Sequence, residues 1–91
     1  MRVSQLINDR GNAAANQFVI YDNDGNCTFQ SYRSTIATIK GDKVELYRDW
    51  DYSNTTRKHL YIFLRDFAQL NVRSKADLLA HIKNGTIVKA Y

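Results

Sequence analysis

Four stretches in the first half of the chain have hydrophobic positions occupied by β-branched and aromatic residues and are bounded by turn signals, as β-strands are. The four stretches are residues 17–22, 27–32, 34–40 and 43–48. The first two are joined by Asn23–Asn26, which are strong turn formers, and the last two by Gly41-Asp42, where glycine suits a type I′ or II′ turn. The sequence therefore predicts two consecutive β-hairpins.

The N-terminal residues show a different spacing. Val3, Leu6 and Ile7 recur at i, i+3 and i+4, as residues on one face of a helix do. A segment rich in alanine and asparagine, residues 11–16, follows them. This spacing predicts a short helical turn at the N-terminus, followed by a loose segment that leads into the first hairpin.

The predicted strand over residues 34–40 departs from strict alternation. Ile36 and Ile39 fall on opposite faces of a regular strand, so either a bulge shifts the register or both faces are covered. We favour a bulge near Thr38. In the next strand, Val44 and Leu46 share one face, and we expect that face to lie against the core.

The hydrophobic period becomes helical after Trp50. Apolar residues recur at i, i+3, i+4 and i+7, which predicts an amphipathic helix over about residues 54–70. These positions are Leu60, Phe63, Leu64 and Phe67. Ser53, or one of the two threonines that follow it, is expected to cap the helix by accepting hydrogen bonds from its first free N–H groups.

A second helix is predicted after a turn at residues 71–73. Ser74 and Asp77 have the spacing of a capping box with Asp in place of Glu, and an apolar stripe runs from Leu78 to Ile82 before Gly85 ends the helix. Residues 86–91 alternate like a final strand. This order predicts an α+β fold, in which a small antiparallel sheet of two hairpins plus a C-terminal strand packs against two consecutive helices.

Length and composition place this fold in a single domain, residues 1–91, because so short a chain supports one modest core. The one cysteine, Cys27, cannot form an intrachain disulfide, which indicates a reducing compartment and predicts a cytoplasmic location. No apolar stretch approaches the roughly 18 residues that span a bilayer, and the N-terminus lacks a signal-peptide core. We expect no membrane partner.

The net charge of +4 comes entirely from the second half of the chain. Residues 1–50 hold six Lys or Arg and six Asp or Glu, whereas residues 51–91 hold seven and three. Such asymmetry gives information about partners rather than about fold. It suggests a scaffold with one face directed toward an anionic surface.

The predicted longer helix carries the residues that fit such a face. Three cations and a tyrosine share the arc next to its apolar stripe: Arg57, Lys58, Tyr61 and Arg65. Cations that neutralise phosphates, beside a ring that stacks, suit nucleic acid or an acidic protein surface. We expect a partner-binding surface here, with Tyr52 and Arg48 at its edge; the alternative is a solvated helix face that keeps the protein soluble.

The junction before this helix, residues 50–56, is dense in aromatic and hydrogen-bonding side chains. Trp50 and Tyr52 suit the cover of a sheet edge, and the hydroxyls suit helix capping. An exposed aromatic residue here would instead anchor a partner. We favour packing for Trp50 and leave both roles open for Tyr52.

Catalytic and metal chemistry find little support in the sequence. His59 and His81 lie on different predicted helices without cysteine or carboxylate at zinc-ligand spacing, and Cys27 has the features of a small buried residue. Asp22 and Asp24 flank a tight turn, and aspartate is one of the residues that such turns favour, so a turn-forming role explains both of them. We therefore expect no enzyme, no cofactor and no metal site.

Three strings of residues resemble a family of small proteins of unassigned role found largely in tailed-phage genomes. They are Asn16–Ile20 (NQFVI), Phe29–Tyr32 (FQSY) and a stretch from Trp50 to Lys58 with the pattern WDYSxTTxK. The likeness covers about residues 16–64, and the last string is the most specific. The resemblance implies a virus-encoded accessory protein in the cytoplasm of a bacterial host cell, and it supplies no catalytic residues.

The leading hypothesis is a non-enzymatic phage accessory protein that binds and inhibits or modulates a host macromolecule, either a protein or a ribonucleoprotein complex. Its size suits occlusion of a defence complex, in the manner of anti-CRISPR proteins, and its positive charge disfavours nucleic-acid mimicry. The second hypothesis is a nucleic-acid-binding module that uses the same basic helix face. The third is a structural component that self-associates as a homodimer.

Overall fold

The computed structural model describes all 91 residues, which form one six-stranded sheet, one short 3₁₀ helix and two α-helices. The strands are β1 (Arg2–Ile7), β2 (Ala13–Tyr21), β3 (Cys27–Ser31), β4 (Ser34–Lys40), β5 (Lys43–Leu46) and β6 (Ile87–Lys89). The helices are the 3₁₀ helix (Arg48–Asp51), α1 (Asn54–Phe67) and α2 (Lys75–Lys83). The predicted α+β class, both hairpins and both helices are confirmed.

The strands lie side by side in chain order, and each of the first five is antiparallel to its neighbour. The last strand, β6, pairs with β5 in parallel, so the sheet is mostly antiparallel and the predicted C-terminal strand joins it in the parallel sense. The chain leaves β5, passes through both α-helices and enters β6 in the same direction, as parallel strands joined by a long crossover do.

The N-terminus is a strand rather than the predicted helical turn. Val3 lies opposite Ile20 and Gln5 lies opposite Phe18, so pairing with β2 fixes an extended backbone. Leu6 is fully buried, whereas the other residues of β1 are exposed. An edge strand that buries one residue shows no alternation of hydrophobic and polar residues. The helical spacing of Val3, Leu6 and Ile7 is coincidental, and pairing with β2 determines the backbone conformation instead.

The expected bulge in β4 is present, slightly earlier than Thr38. Phe29 lies opposite Ala37 and Gln30 lies opposite Thr35, which leaves Ile36 as the extra residue. Both Ile36 and Ala37 are buried as a result. The bulge therefore turns two consecutive side chains inward at the end of β4 that faces the 3₁₀ helix.

One face of the sheet and the apolar faces of both helices form the core. The rings of Phe29 and Phe63 stack with centroids 5.5 Å apart, Phe63 stacks on Phe67 at the same distance, and Tyr21 meets Phe67 edge-on at 6.3 Å. Each fully buried side chain of this size contributes about 1.5–3 kcal/mol of transfer free energy. These contacts fix α1 across the middle of the sheet.

Side chains cap both α-helices at their N-termini. Ser53 Oγ accepts a hydrogen bond from the N–H of Thr56 at 3.1 Å, and Ser74 Oγ accepts one from Asp77 at 3.2 Å. The first helix ends at Phe67, three residues before the predicted end, where Gln69 adopts a left-handed φ of 53°. Gly85, at φ 86°, ends the second helix as predicted.

The other face of the sheet carries no helix. Thr28 and Thr38 hydroxyls lie 2.9 Å apart on it, and Glu45 accepts a hydrogen bond from Tyr47 at 3.0 Å and pairs with Lys40 at 3.0 Å. Neither α-helix is long and apolar enough to cross a membrane.

Candidate functional site

The arginines of the predicted basic helix face are tied to their own chain. The guanidinium of Arg57 binds the carboxylate of Asp51 and the side-chain oxygen of Asn54. Arg65 donates to the carbonyl oxygen of Val72 at 3.1 Å and to the carboxylate of Asp9 at 3.0 Å. Only 23% of the Arg57 side chain and 17% of the Arg65 side chain are exposed.

The remaining members of that face are divided. Tyr61 is half-buried against the core, and burial raises the pKa of its hydroxyl. Lys58 is exposed and makes no ion pair. Intramolecular contacts therefore engage three of the four groups and leave one free lysine, which weakens the case for this face as a surface for an anionic partner.

A groove of about 770 Å³ opens instead between the β3–β4 hairpin and the junction of the 3₁₀ helix with α1. Its volume lies within the roughly 300–1,000 Å³ of ligand pockets. We call it the tyrosine groove. Its lining comprises Gln17, Ser31, Tyr32, Arg33, Ser34, Ile36, Asp49, Tyr52, Ser53, Thr55 and Thr56.

Tyr32 occupies the tip of the β3–β4 hairpin in a conformation that glycine usually supplies. The hairpin has a two-residue loop, Tyr32-Arg33, because Ser31 and Ser34 are paired across it. Tyr32 has a φ of 54°, and it is 63% exposed. A bulky residue in the left-handed region costs roughly 1–2 kcal/mol, and such strain concentrates at functional sites.

A second left-handed residue holds Tyr32 in place. Asn16 interrupts β2 with a φ of 62°, and its carbonyl oxygen accepts a hydrogen bond from the N–H of Tyr32 at 2.7 Å. Two of the three non-glycine residues with positive φ therefore meet at the rim of the groove. The side-chain amide of Gln30 also donates to the carbonyl oxygen of Tyr32 at 2.7 Å.

Gln17 supplies an unsatisfied polar group in the wall of the groove. It is 2% exposed, and its Oε1 has no hydrogen-bond partner. Its Nε2 reaches only the carbonyl oxygen of Ala15, at 3.5 Å, the outer limit of a hydrogen bond. A buried amide with such poor partners costs free energy in the unbound protein and calls for an explanation.

The opposite wall is the start of α1. Ser53 and Thr56 hydroxyls lie 3.0 Å apart, and the first turn contains no acidic residue. Arg33 and Asp49 contribute one positive and one negative charge to the lining. The groove is therefore rich in hydroxyls and close to neutral.

The aromatic residues of the junction take different roles. Trp50 is buried, as we favoured, and its Nε1–H donates to the Tyr91 hydroxyl at 3.1 Å. Tyr52 is 82% exposed and lines the groove. Arg48, the other residue expected at the edge of the binding face, is exposed but does not line the groove.

Asp51 fixes the position of this junction. Its carboxylate accepts a hydrogen bond from Lys75 at the start of α2, at 3.0 Å, and pairs with Arg57 of α1. The hydrogen bond from Lys75 and the contact with Arg57 hold the pKa of Asp51 below its ordinary value. Lys75 Nζ also lies 5.6 Å from the centroid of the Trp50 ring. The wall that carries Tyr52 is thereby joined to both helices.

The remaining candidate residues have structural surroundings. The Asp22 carboxylate accepts hydrogen bonds from the N–H groups of Asp24 at 2.9 Å and Asn26 at 3.0 Å, which makes it part of the turn, and the Asn26 bond lowers its pKa most. Cys27 is buried, and burial raises the pKa of its thiol. No group of three or more His, Cys, Asp or Glu side chains comes together as metal ligands.

Comparison with known families places the chain in one of them. A family of unknown function, DUF8033, matches residues 1–79. The chain belongs to DUF8033. No curated protein and no solved structure matches it. The matched residues of this DUF8033 chain include both walls of the tyrosine groove.

Sequence reasoning missed most of this groove in the DUF8033 chain, although a signal was present. The strings NQFVI, FQSY and WDYSxTTxK are far apart in sequence, yet each contributes to the lining: Gln17 from the first, Ser31 and Tyr32 from the second, Tyr52 and Ser53 from the third. Tyr52 was the one predicted site residue that lies in the groove. The unpaired buried amide of Gln17 and the two exposed tyrosines of the lining make the groove the candidate site.

Proposed function

We propose that this DUF8033 chain is a non-enzymatic binding protein that contacts a protein partner through the tyrosine groove. The observation that supports this most is the composition of the lining: two exposed tyrosines, one arginine, and several serine and threonine hydroxyls. Tyrosine offers a large, rigid contact area at low entropic cost, and short hydroxyl side chains supply adaptable hydrogen bonds. Tyrosine and arginine are also the residues that dominate protein-interface hot spots.

The charge distribution favours a protein over nucleic acid. A nucleic-acid site needs several free cations, since binding to phosphates releases counterions in proportion to the charges neutralised. Arg57 and Arg65 already pair with Asp51 and Asp9, and Asp49 offsets Arg33 in the groove. Of the predicted surface, Lys58 and Arg48 at its edge remain unpaired, and two cations are a weak basis for phosphate binding, so nucleic acid becomes the alternative that the experiment below must exclude.

The biological setting that we propose follows from the resemblance to tailed-phage proteins. In that setting the chain is a phage accessory protein in the cytoplasm of a bacterial host cell, and it inhibits or modulates a host protein or ribonucleoprotein complex by occluding part of its surface. An anti-CRISPR-like action on a defence complex is one form of this proposal. A rigid groove preorganised by strained residues suits such tight, non-catalytic binding.

Site-specific photo-crosslinking in bacterial cells tests the proposal. A benzophenone amino acid replaces Tyr52 in one variant and Lys58 in another, and Lys83 on α2 serves as a remote exposed control. We expect a discrete protein adduct from position 52 that is absent from position 83. Adducts formed from position 58 but not from position 52, or adducts sensitive to nuclease rather than to protease, would refute the assignment.

A further inference from the structure

We propose that the tyrosine groove binds an extended segment of the partner polypeptide, and that the main-chain N–H and C=O of one residue of this segment form paired hydrogen bonds with the side-chain amide of Gln17. This inference rests on the proposed function and specifies the chemistry of the ligand. Gln17 would then determine which chemical class the groove accepts, while Tyr32 and Tyr52 supply contact area.

The hydrogen-bonding capacity of Gln17 points to an amide ligand. A glutamine side chain offers donors at Nε2 and an acceptor at Oε1. In Gln17 the acceptor has no partner, and the donor has one contact at 3.5 Å, so neither function is well satisfied within the protein. In an extended segment the N–H donor and the C=O acceptor of one residue point to the same side and therefore complement both. An anion, which only accepts, would leave Oε1 unsatisfied.

Gln17 needs a small motion to reach such a ligand. Its Oε1 is covered in the unbound protein, although the residue lines the groove. The last torsion of a glutamine side chain has a broad, nearly two-fold preference, so rotation of the amide is inexpensive. The weak contact with Ala15 offers little resistance to that rotation.

Gln30 provides a matched comparison on the neighbouring strand. Its Nε2 donates to the carbonyl oxygen of Tyr32 at 2.7 Å, so this amide serves the hairpin itself. It pairs with Phe18 across β2 and β3, whereas Gln17 pairs with Ser31. Replacement of each glutamine by leucine therefore compares two losses. Gln17→Leu removes an amide that a ligand would use, and Gln30→Leu removes an amide that stabilises the hairpin.

The test uses a blocked dipeptide, N-acetylalanine N′-methylamide, as the probe, with a short oligothymidylate as the nucleic-acid arm. Each is titrated into the whole protein while the side-chain amide signals of Gln17 and the ring signals of Tyr32 and Tyr52 are followed by NMR. We expect saturable shifts confined to the groove, with a dissociation constant on the order of 100 mM or below for so small a ligand. In Gln17→Leu we expect affinity at least about 10-fold weaker, as for the loss of two hydrogen bonds, so that the shifts no longer saturate. Gln30→Leu keeps the binding.

A second measurement distinguishes a ligand-binding role from a structural one. The urea midpoint of Gln17→Leu should rise, because an unsatisfied buried amide is replaced by an apolar side chain, whereas that of Gln30→Leu should fall. A lower midpoint for Gln17→Leu, unchanged dipeptide binding in that variant, no groove shifts with the dipeptide, or groove shifts with oligothymidylate alone would each overturn the inference. If adducts still form from position 52 in cells, the proposed function survives that failure.

Discussion

The left-handed backbone at Tyr32 leads to a prediction that two pairs of substitutions can test. Tyr32→Gly and Tyr32→Ala both remove the ring, so the difference between them reports the backbone alone. Tyr52→Gly and Tyr52→Ala form the matched control, because Tyr52 is also exposed but has an ordinary φ of −64°.

The expected magnitudes follow from these two φ values. At the 54° of Tyr32, alanine carries the steric cost of the left-handed region, roughly 1–2 kcal/mol, which glycine avoids. Glycine also lowers the free energy of unfolding by about 0.5–1 kcal/mol, because it raises the conformational entropy of the unfolded chain. Tyr32→Gly should therefore be more stable than Tyr32→Ala by about 0.5–1 kcal/mol. At Tyr52 the order should reverse, with glycine less stable by about 0.5–1 kcal/mol.

Urea denaturation followed by circular dichroism measures both differences. With a slope of about 1–2 kcal/mol per molar urea for a domain of this size, the Tyr32 pair should differ in midpoint by about 0.3–1 M in favour of glycine. Equal midpoints for that pair, or the same order at both positions, would show that Tyr32 carries no backbone strain. The argument for a preorganised groove would then lose its energetic basis.

Three further predictions concern the core, the helix cap and the loss of stability at low pH. Phe63→Ala should lower the free energy of unfolding by about 3–5 kcal/mol, because it empties the ring stack of the core, and loss of near-ultraviolet circular dichroism would accompany it. Ser74→Ala should cost about 1 kcal/mol, whereas Ser74→Gly should cost only a few tenths, as measured by thermal denaturation. The lowered pKa of Asp51 means that its contribution to stability is fully present above its ordinary value near 4 and is lost as the pH falls toward the lower folded value. Asp51→Asn should therefore flatten the decline of the urea midpoint between about pH 4 and pH 2 relative to the unmodified protein, and an unchanged slope would contradict the contact with Lys75.

Local sequence signals were sufficient for most of the fold. The turn residues between Asn23 and Asn26 and the Gly41 turn defined both hairpins, and the caps at Ser53 and Ser74 set the helix starts. Such features work because each depends on neighbours within four residues. The N-terminal strand was missed because Leu6 is its one buried residue, and its extended backbone comes from pairing with residues far along the chain.

The candidate site was predictable only in part for the same reason. A helical wheel correctly groups Arg57 with Arg65, but it contains no information on Asp51 or Asp9, which come from outside the helix and neutralise them. The tyrosine groove depends on the positive φ of Tyr32, which its sequence does not encode as a glycine would. Distant partners and an atypical backbone therefore decided the site. The phage origin, the partner class and the homodimer remain predictions.

The bridge made by Asp51 has a consequence for how binding experiments on this protein are interpreted. Added salt screens exposed charges, over a distance of about 8–10 Å near physiological ionic strength, and it weakens exposed ion pairs, so it loosens the contacts of Asp51 with Arg57 and Lys75 even when no ligand is charged. The position of Tyr52 then depends on ionic strength. A fall in affinity with salt would thus arise inside the protein as well as from an anionic partner. Comparison with Asp51→Asn, in which a neutral amide replaces the carboxylate, separates the two sources.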